Sequence, residues 1–392
     1  MPAAAIKSRR STSIKARMAP LKRLRIPSPK PVARLRLIHP RRPPIRDAPS
    51  LKAEFIHNRL SFFAPEKLGE GGWGQVHLMH ERQSKRRFAV KEVFKSSGEK
   101  EQEYADRVYD EFDIASRLNH PNVIRTYRLR ARRCRWCIVM EYCPNGDVCD
   151  RLAANHLKYH EVLCLFKQLL HGVEYLHSQG VAHRDIKVDN LLLNDVGHLK
   201  IADLGLATTG EPFYLSDPLG RCFGVCGTPV MQPPEILKGE PEYYDGRAFD
   251  VWSCAMSCLF MLYPHCVGSK VGTPSDKLEQ EQECLRNWAR HLKSDYWSLL
   301  PEARKLGGFL FTLPDARFRQ LLLKMLHPEP TKRLTASQAL NDSFIRQIEC
   351  CGPAPNSRDQ EPPARHYHGP PRFMLPVRLS LNCCGIKDPR KD

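Results

Sequence analysis

The first 46 residues contain no acidic residue and no Phe, Tyr or Trp, although they hold 14 lysines and arginines. Without aromatic rings to stack on bases, this basic stretch is not expected to bind nucleic acid. The chain has no run of about 20 apolar residues that could cross a bilayer, and its start lacks the apolar core of a secretion signal. We therefore expect an intracellular protein, cytoplasmic by preference with the nucleus and mitochondrion left open, whose 15 cysteines are reduced.

Charge and proline distinguish the two ends of the chain from its middle. The basic residues of the first 46 leave only +4 of the net charge of +18 for the rest. Nine of the 32 prolines fall in residues 1–50 and eight in residues 350–392. Because neither end shows apolar periodicity, we predict disordered Pro-rich tails over 1–50 and 349–392, and a folded domain over 60–348.

The basic N-terminal tail allows four interpretations. It is a solvated arm, a contact for an anionic membrane surface or an acidic partner, a nuclear signal, or a mitochondrial presequence. Its composition does not separate these four.

A glycine-rich stretch, LGEGGWGQV at residues 68–76, spaces Gly69, Gly71 and Gly74 as G-x-G-x-x-G. In dinucleotide-binding units the third glycine of this motif enters a helix. Here Gln75–Met79 alternates in polarity, meets a polar turn, and is followed by the strand-like segment RFAVKEVF. The pattern predicts a β-hairpin, whose backbone N–H groups can cover phosphates.

Lys91 lies inside the second strand-like segment, where a lone lysine is ordinarily solvent-facing. A charged helical segment, Glu99–Leu118, follows it. Helical spacing places Glu111 on or beside the apolar face of that helix. We therefore predict that Glu111 points inward and pairs with Lys91, with Glu101 and Glu103 as the alternatives.

A polar cluster lies between two short apolar strands, in VAHRDIKVDNLLL at 181–193 and HLKIADLGLA at 198–207. Asp185, Lys187 and Asn190 fall within six residues, and Asp203 follows after a hairpin. This brings a carboxylate base, a cation and two oxygen ligands to the ends of strands. Magnesium prefers such hard oxygen donors, and a transferring phosphoryl group needs both positive charge and an oriented base.

In this order, the motifs resemble a eukaryotic protein kinase domain from about Phe62 to Ile348, nearly three-quarters of the chain. The resemblance is carried by LGEGGWGQV, FAVK, HRDIKVDN, ADLG, CGTPVMQPPE, FDVWS and PTKRLT. The catalytic residues that it implies are the base Asp185, Lys187, the phosphate contact Lys91 and its partner Glu111. The implied magnesium ligands are Asn190 and Asp203. The implied ATP site consists of Gly69, Gly71, Gly74, Val76, Ala89, Lys91, the gatekeeper Met140, Glu141, Cys143 and Asp147.

The fold implied by the resemblance is α+β and two-lobed. It has a small antiparallel β-rich N-lobe over about 60–141 and a larger, mostly helical C-lobe over about 147–348. The implied activity is Mg-ATP-dependent phosphorylation of protein Ser or Thr. Thr228 together with Lys187 is typical of Ser/Thr rather than Tyr kinases. The resemblance also favours a monomer. The alternative is a pseudokinase, a scaffold that binds partners without catalysis. A pseudokinase typically lacks one of the key residues, all of which are present here.

Two further matches concern structure, and one departure from the family pattern concerns activation. Glu235 and Arg333 resemble a buried ion pair of the C-lobe, and Asp250 resembles the aspartate that anchors the catalytic loop. Gly224 replaces the Thr that many kinases phosphorylate, although Arg184, which would receive the phosphate, is present. We therefore predict an activation segment that is ordered without phosphate at this position. The alternative acceptors are Thr208, Thr209, Tyr214 and, foremost, Ser216.

A second, looser resemblance is to the fungal kinases that regulate plasma-membrane transporters, the halotolerance and nitrogen-permease-reactivator group. It is carried by the segment YDGRAFDVWSCA and by an insert containing NWARHLKSDYW. It suggests a signalling role in the control of membrane transporters.

Overall fold

The computed structural model describes residues 45–56, 66–71, 74–154, 157–209, 221–222, 224, 226–228, 231–237, 243–263 and 313–351. Most of both predicted tails, the NWARHLKSDYW insert, Tyr214 and Ser216 lie outside the described residues. Among the described helices, none is long and apolar enough to span a membrane.

An antiparallel sheet of six strands forms the N-lobe, as predicted. Its path is β1-β3-β4-β6-β5, with β2 paired to β3. The strands are β1 (Phe55–Ile56), β2 (Lys67–Gly71), β3 (Gly74–Glu81), β4 (Arg87–Val93), β5 (Thr126–Arg132) and β6 (Arg135–Glu141). Strands β2 and β3 pair from Lys67↔His77 to Gly71↔Gly74, so the glycine motif does form a hairpin.

One helix crosses this sheet and supplies part of its core. Helix α2 (Glu101–Arg117) lies within the range predicted for it. Its buried Tyr104 donates from the hydroxyl to the Val93 carbonyl oxygen over 2.8 Å and accepts from the Trp136 backbone N–H over 3.0 Å. These two bonds attach the helix to β4 and β6, which fixes the direction in which its inner face points.

The packed part of the N-lobe begins upstream of residue 60, the start predicted for the domain. The segment Ile45–Ile56, which includes α1 (Leu51–Glu54), packs on the sheet instead of belonging to a disordered tail or a linker. Leu51 and Phe55 are buried among apolar residues of β3, β4 and β6, and the Phe55 ring meets Phe88 edge-on at 5.5 Å. The physical reason is an apolar pair four residues apart that covers a sheet face. The folded part thus begins at Ile45 or earlier.

Helices dominate the described C-lobe and share one large apolar core. They are α3 (Val148–Ala153), α4 (Tyr159–Ser178), α5 (Pro234–Leu237), α6 (Gly246–Leu262), α7 (Ala316–Met325), α8 (Ala336–Leu340) and α9 (Ser343–Gln347). Helix α6 is buried along almost its whole length, which agrees with the continuous apolar run in its sequence. Helix α4 packs against α6 and α8 and leads to the loop that carries Asp185.

Three short antiparallel pairs connect the catalytic segments of the C-lobe. They are β7 (Val181–Ala182) with β10 (Thr208–Thr209), β8 (Leu191–Leu193) with β9 (Leu199–Ile201), and β11 (Arg221–Cys222) with β12 (Tyr244–Asp245). The β8–β9 hairpin separates Asn190 from Asp203 along the chain and returns them to the same end.

Packing of the C-lobe continues beyond residue 348, the end predicted for the domain. Cys351 is buried and its backbone N–H donates to the sulfur of Cys164 in α4 over 3.4 Å. The Lys167 ammonium donates to the Ile348 carbonyl oxygen over 2.9 Å, which fixes the same segment to the helix. The packed part of the chain therefore extends at least to Cys351.

Candidate active site

Lys91, Glu111 and Asp203 meet in one cluster between the lobes. Lys91 Nζ lies 2.7 Å from Glu111 Oε1 and 2.7 Å from Asp203 Oδ1. The predicted pairing of Lys91 with Glu111 is thus present. The alternatives are used elsewhere, because Glu103 accepts from the Lys100 backbone N–H at the start of α2 and Glu101 pairs with Lys95.

Charge governs the protonation of this cluster. Burial alone would lower the pKa of Lys91, but the carboxylates of Asp203 and Glu111 outweigh burial and raise that pKa above its ordinary value. The Lys91 ammonium in turn lowers the pKa of Asp203. Lys91 and Asp203 therefore remain ionised at neutral pH, as a phosphate contact and a metal ligand require.

Asp185 lies in a loop where both oxygens of its carboxylate are hydrogen-bonded. Oδ1 accepts from the Thr228 backbone N–H at 3.0 Å and from its hydroxyl at 2.9 Å. Oδ2 lies 2.9 Å from Lys187 Nζ, which also donates to the Thr228 hydroxyl over 2.9 Å. The structure therefore brings Asp185, Lys187 and Thr228 together, as the sequence predicted, and fixes the direction of the carboxylate.

Asn190 and Asp203 supply the oxygen atoms that a magnesium ion would need. The Asn190 amide nitrogen donates to the carbonyl oxygen of Asp185 at 2.8 Å and to its Oδ2 at 3.1 Å, which directs the other end of the amide, Oδ1, away from this contact. The Asp203 side chain is 45% exposed beside Lys91. An amide oxygen and an ionised carboxylate are hard donors, so the residues present fit a magnesium ion.

The loop that carries Asp185, which we call the catalytic loop, is anchored by Asp250 of α6. The Asp250 side chain is fully buried. Its carboxylate accepts from the His183 backbone N–H at 2.8 Å and from that of Arg184 at 2.7 Å, and it lies 2.9 Å from His177 Nε2. The anchoring role predicted for Asp250 is therefore confirmed. Arg184 is held with φ of 64°, a strained backbone that these bonds stabilise.

The buried ion pair predicted between Glu235 and Arg333 is present as well. The guanidinium makes two parallel bonds to the carboxylate, at 2.9 and 3.0 Å. Arg333 also donates to the Ala248 carbonyl oxygen over 2.7 Å. This pair connects the described end of the activation segment to helix α6.

The glycine hairpin and the strand after it form one wall beside Lys91. Val76 pairs with Lys91 across β3 and β4, and Ala89 is buried on β4. Gly74 packs so closely on β4 that a Cβ at this position would collide with the Glu92 carbonyl oxygen. The third glycine is therefore required for sheet packing, while Gly71 faces open space.

Met140, Glu141 and Cys143 lie at and just after the end of β6, in the hinge that joins the N-lobe to the C-lobe. Met140 pairs with Ala89 and is half-buried, whereas Cys143 is buried. The Glu141 side chain turns away to Lys200, 3.0 Å distant, and to the Arg125 backbone N–H. Met140 and Cys143 thus place backbone and apolar surface at the hinge, and the Glu141 carboxylate stabilises the hinge.

No sequence pattern singled out Ile124, Leu192 or Ala202, which pack with the predicted site residues Met140 and Cys143. Cys143 shares an apolar cluster with Ile124 and Ala202, and half-buried Met140 and Leu192 pack against it. Leu192 lies in β8 and Ala202 directly before Asp203, where short apolar runs look like ordinary core. The only available signal was their position next to Asn190 and Asp203.

Asp147 lies at the start of α3, where it accepts from the Asp150 backbone N–H at 2.8 Å. It is 6% exposed. Burial, together with the nearby charge of Asp150, raises the pKa of Asp147 to about 7. Asp147, which the resemblance placed in the ATP site, is therefore a helix cap whose pKa lies near neutral pH.

The described part of the activation segment is held by uncharged groups around Arg184. The guanidinium donates to the Leu206 carbonyl oxygen at 2.9 Å and to the Tyr244 hydroxyl at 3.3 Å. The Tyr244 hydroxyl donates to the Gly224 carbonyl oxygen at 3.2 Å and lies 3.3 Å from the Cys226 sulfur. Gly224 itself has φ of 72°, a conformation that favours glycine.

Comparison with known proteins agrees with this geometry. The sequence matches the family described as "Protein kinase domain" over residues 62–345. It is 34% identical to the serine/threonine-protein kinase HAL4/SAT4 of Saccharomyces cerevisiae over 303 residues, which cover 73% of this chain and 46% of the relative. It is 36% identical to the serine/threonine-protein kinase hal4 of Schizosaccharomyces pombe over 298 residues, which cover 73% and 43%.

A plant relative is more distant. CBL-interacting protein kinase 31 of Oryza sativa subsp. japonica is 29% identical over 284 residues, covering 71% of this chain and 56% of the relative. The chain spans less than half the length of both yeast proteins. The matched residues nonetheless include every part of the site described above, and the chain belongs to the protein kinase family.

Proposed function

We propose that this protein is an active serine/threonine kinase, which transfers the γ-phosphoryl group of ATP to Ser or Thr hydroxyls of proteins. One observation carries the proposal: Lys91 contacts both Glu111 and Asp203 at 2.7 Å, while Asp185 and Lys187 lie in a fully hydrogen-bonded loop. A pseudokinase scaffold would need neither arrangement. Both support catalysis over that alternative.

Each group has a distinct task in the proposed reaction. Asp185 accepts the proton of the substrate hydroxyl and orients that hydroxyl, because its own carboxylate direction is fixed by Thr228. Lys187 offsets negative charge beside it, and Lys91 binds phosphate oxygens. A magnesium ion held by Asn190 and Asp203 would neutralise the phosphate charge that develops during transfer.

Acidic groups near the hinge favour substrates with basic residues N-terminal to the phosphoacceptor. Burial raises the pKa of Asp147 and of Asp150. The charges of Asp150 and Asp189 raise the pKa of Asp147 further, and that of Asp189 raises the pKa of Asp150. A cationic side chain placed there would relieve this repulsion. We propose that arginine or lysine of a peptide substrate does so.

The cellular setting is proposed from similarity and composition. The relation to yeast HAL4 kinases supports a signalling role in the control of membrane transporters. The basic N-terminal tail suits an anionic membrane surface or an acidic partner, in a monomeric intracellular enzyme that is cytoplasmic by preference.

An in vitro assay on a degenerate Ser/Thr peptide library with Mg-ATP tests activity and specificity together. We expect phosphorylation of Ser and Thr peptides, with a preference for basic residues before the acceptor. The Lys91→Met variant should lose turnover by about 100-fold or more. Lys95→Met, a matched change at an exposed lysine four residues away, should retain it.

Two outcomes would contradict the proposal at different levels. Equal rates for wild-type and Lys91→Met would exclude phosphoryl transfer at this site, and a folded wild-type protein with no activity on any peptide would favour the scaffold alternative. A preference for proline or acidic residues would remove only the substrate-charge proposal.

A further inference from the structure

A group of three cysteine thiols lies in the C-lobe at the contact between α4 and the end of the described chain. Cys164 of α4 has its sulfur 3.5 Å from that of Cys351 and 3.9 Å from that of Cys350. We call Cys164, Cys350 and Cys351 the thiol group. All three are reduced in this structure. None of them belongs to the active site described above.

The three thiols differ in access to solvent. Cys164 is fully buried and Cys351 is 6% exposed, whereas Cys350 is half-buried. Contact with Cys164 and burial both raise the pKa of Cys351, which makes its thiolate scarce. A dissolved oxidant should therefore react first at Cys350 and meet the other two sulfurs afterwards.

We propose that the thiol group is an oxidation site, in which a peroxide oxidises Cys350 and Cys164 then forms a disulfide with the Cys350–Cys351 dipeptide. In the first step the Cys350 sulfur attacks a peroxide oxygen, the O–O bond breaks, and Cys350 becomes a sulfenic acid with release of water. In the second step the Cys164 sulfur attacks the Cys350 sulfur, the S–O bond breaks, and the hydroxide leaves as water with the Cys164 proton. Two thiols are oxidised by two electrons, and one hydrogen peroxide is reduced to two waters.

The geometry suits this bond without a large rearrangement. A disulfide needs an S–S distance of about 2.05 Å, so the Cys350 sulfur has to move by about 2 Å toward Cys164. It lies one residue from Cys351, whose sulfur is also within reach of Cys164, so thiol–disulfide exchange can pass the bond between neighbours. Either product ties α4 to the end of the domain.

A glutamine connects the thiol group to the catalytic hairpin. Gln168 Nε2 donates to the sulfur of Cys164 at 3.4 Å and to that of Cys351 at 3.6 Å. Its Oε1 accepts from the Leu199 backbone N–H at 2.9 Å and from the Asn122 amide at 3.2 Å. Leu199 begins β9, the strand that leads to Asp203. Oxidation therefore alters the partners of a residue that accepts a hydrogen bond from the start of β9, at the turn end of the β8–β9 hairpin.

The test uses the full chain, reduced and then exposed to a small excess of hydrogen peroxide, alkylated, digested without reductant and analysed by mass spectrometry. We expect a disulfide-linked pair of peptides, one containing Cys164 and the other containing Cys350 and Cys351. This linked species should disappear on reduction. Because the bond closes a loop of nearly 190 residues, the thermal unfolding midpoint should rise by about 5–10 °C in the oxidised protein.

Variants separate this site from the other cysteines. Cys350→Ser, at a half-buried position, should slow formation of the linked peptide by about tenfold or more, whereas Cys134→Ser, at an exposed cysteine in the N-lobe, should leave the rate unchanged. Cys164→Ala should remove the linked peptide and the rise in the midpoint. A Cys350–Cys351 bond with Cys164 still reduced would overturn the proposal, as would an unchanged rate in Cys350→Ser.

Discussion

The two halves of the active site are held by different forces. Lys91, Glu111 and Asp203 meet across the lobes only through the charged ends of their side chains. The loop that carries Asp185 is instead held from beneath, because fully buried Asp250 accepts two backbone N–H groups of that loop. We call these the ionic half and the anchored half.

The difference shows which contacts are costly to break. Separating the charged groups of the ionic half costs less, since Asp203 is 45% exposed and water can replace its partner. Moving the catalytic loop breaks hydrogen bonds to a buried carboxylate, which is far more costly. Substitutions in the ionic half should therefore cost activity, and those in the anchored half should cost stability as well.

The largest effect is expected for Asp203→Asn in the ionic half. The amide loses the charge that holds a metal ion, so turnover should fall by about 1,000-fold. Lys91 and Glu111 remain paired, so the unfolding midpoint should stay within about 2 °C of wild type. Asp195→Asn, at an exposed position eight residues earlier, serves as the control for both measurements. Wild-type turnover in Asp203→Asn would contradict the assignment of this ligand.

Asp250→Asn tests the anchored half. The His183 N–H and the Arg184 N–H each use a different carboxylate oxygen, so an amide nitrogen in place of either oxygen leaves one N–H without an acceptor. The free energy of unfolding should therefore fall by about 2–4 kcal/mol. Activity should fall in parallel because the loop is no longer fixed. Asp245→Asn at the start of the same helix should change little, since Asn caps helices as well as Asp does. Equal urea midpoints for the two variants would remove the distinction between the halves.

A smaller effect is expected beside the anchored half, at Tyr244. Its hydroxyl joins Arg184 to the Gly224 backbone where a phosphate would ordinarily do so, so complete dephosphorylation should leave turnover nearly unchanged. Tyr244→Phe should reduce turnover about fivefold, as expected for one lost hydrogen bond of about 1 kcal/mol. Loss of activity on phosphatase treatment, matched by Ser216→Ala, would identify a phosphorylation switch instead.

The smallest expected effect is on the pH dependence of stability, and it concerns Asp147 at the start of α3. Its pKa is about 7 in the folded protein, above the usual 3.8, so the folded state holds a proton that the unfolded chain has released. Its contribution to stability is therefore full at low pH and is lost as the pH rises through 7. Asp147→Asn keeps a helix cap but cannot titrate. The drop in urea stability between pH 5.5 and 8 should be smaller in Asp147→Asn than in wild type or Asp195→Asn.

Much of the site could be predicted because its chemistry is local in sequence. Asp185, Lys187 and Asn190 lie within six residues, and the glycine spacing with alternating strands predicts the hairpin. Glu111 required only helical periodicity. In each case polar residue types that bind phosphate or metal stand out against apolar strands.

Other parts depend on contacts between distant segments. Leu192 and Ala202 are ordinary apolar residues, and nothing in their type distinguishes them from residues of the general core. The approach of Cys351 to Cys164 joins residues nearly 190 positions apart, which no local pattern reveals. The N-terminal segment was hidden by its proline-rich and basic surroundings, although the spacing of Leu51 and Phe55 was a readable signal.

That segment has a practical consequence for anyone who expresses the domain. The family match begins at residue 62, so a truncation made there removes Leu51 and Phe55. Met79, Phe88 and Val139, which those two side chains cover, would then face water as one contiguous apolar patch. Such patches promote self-association. Aggregation of a shortened protein would therefore indicate that this sheet face has lost the side chains that cover it. A start at or before Ile45 should restore solubility.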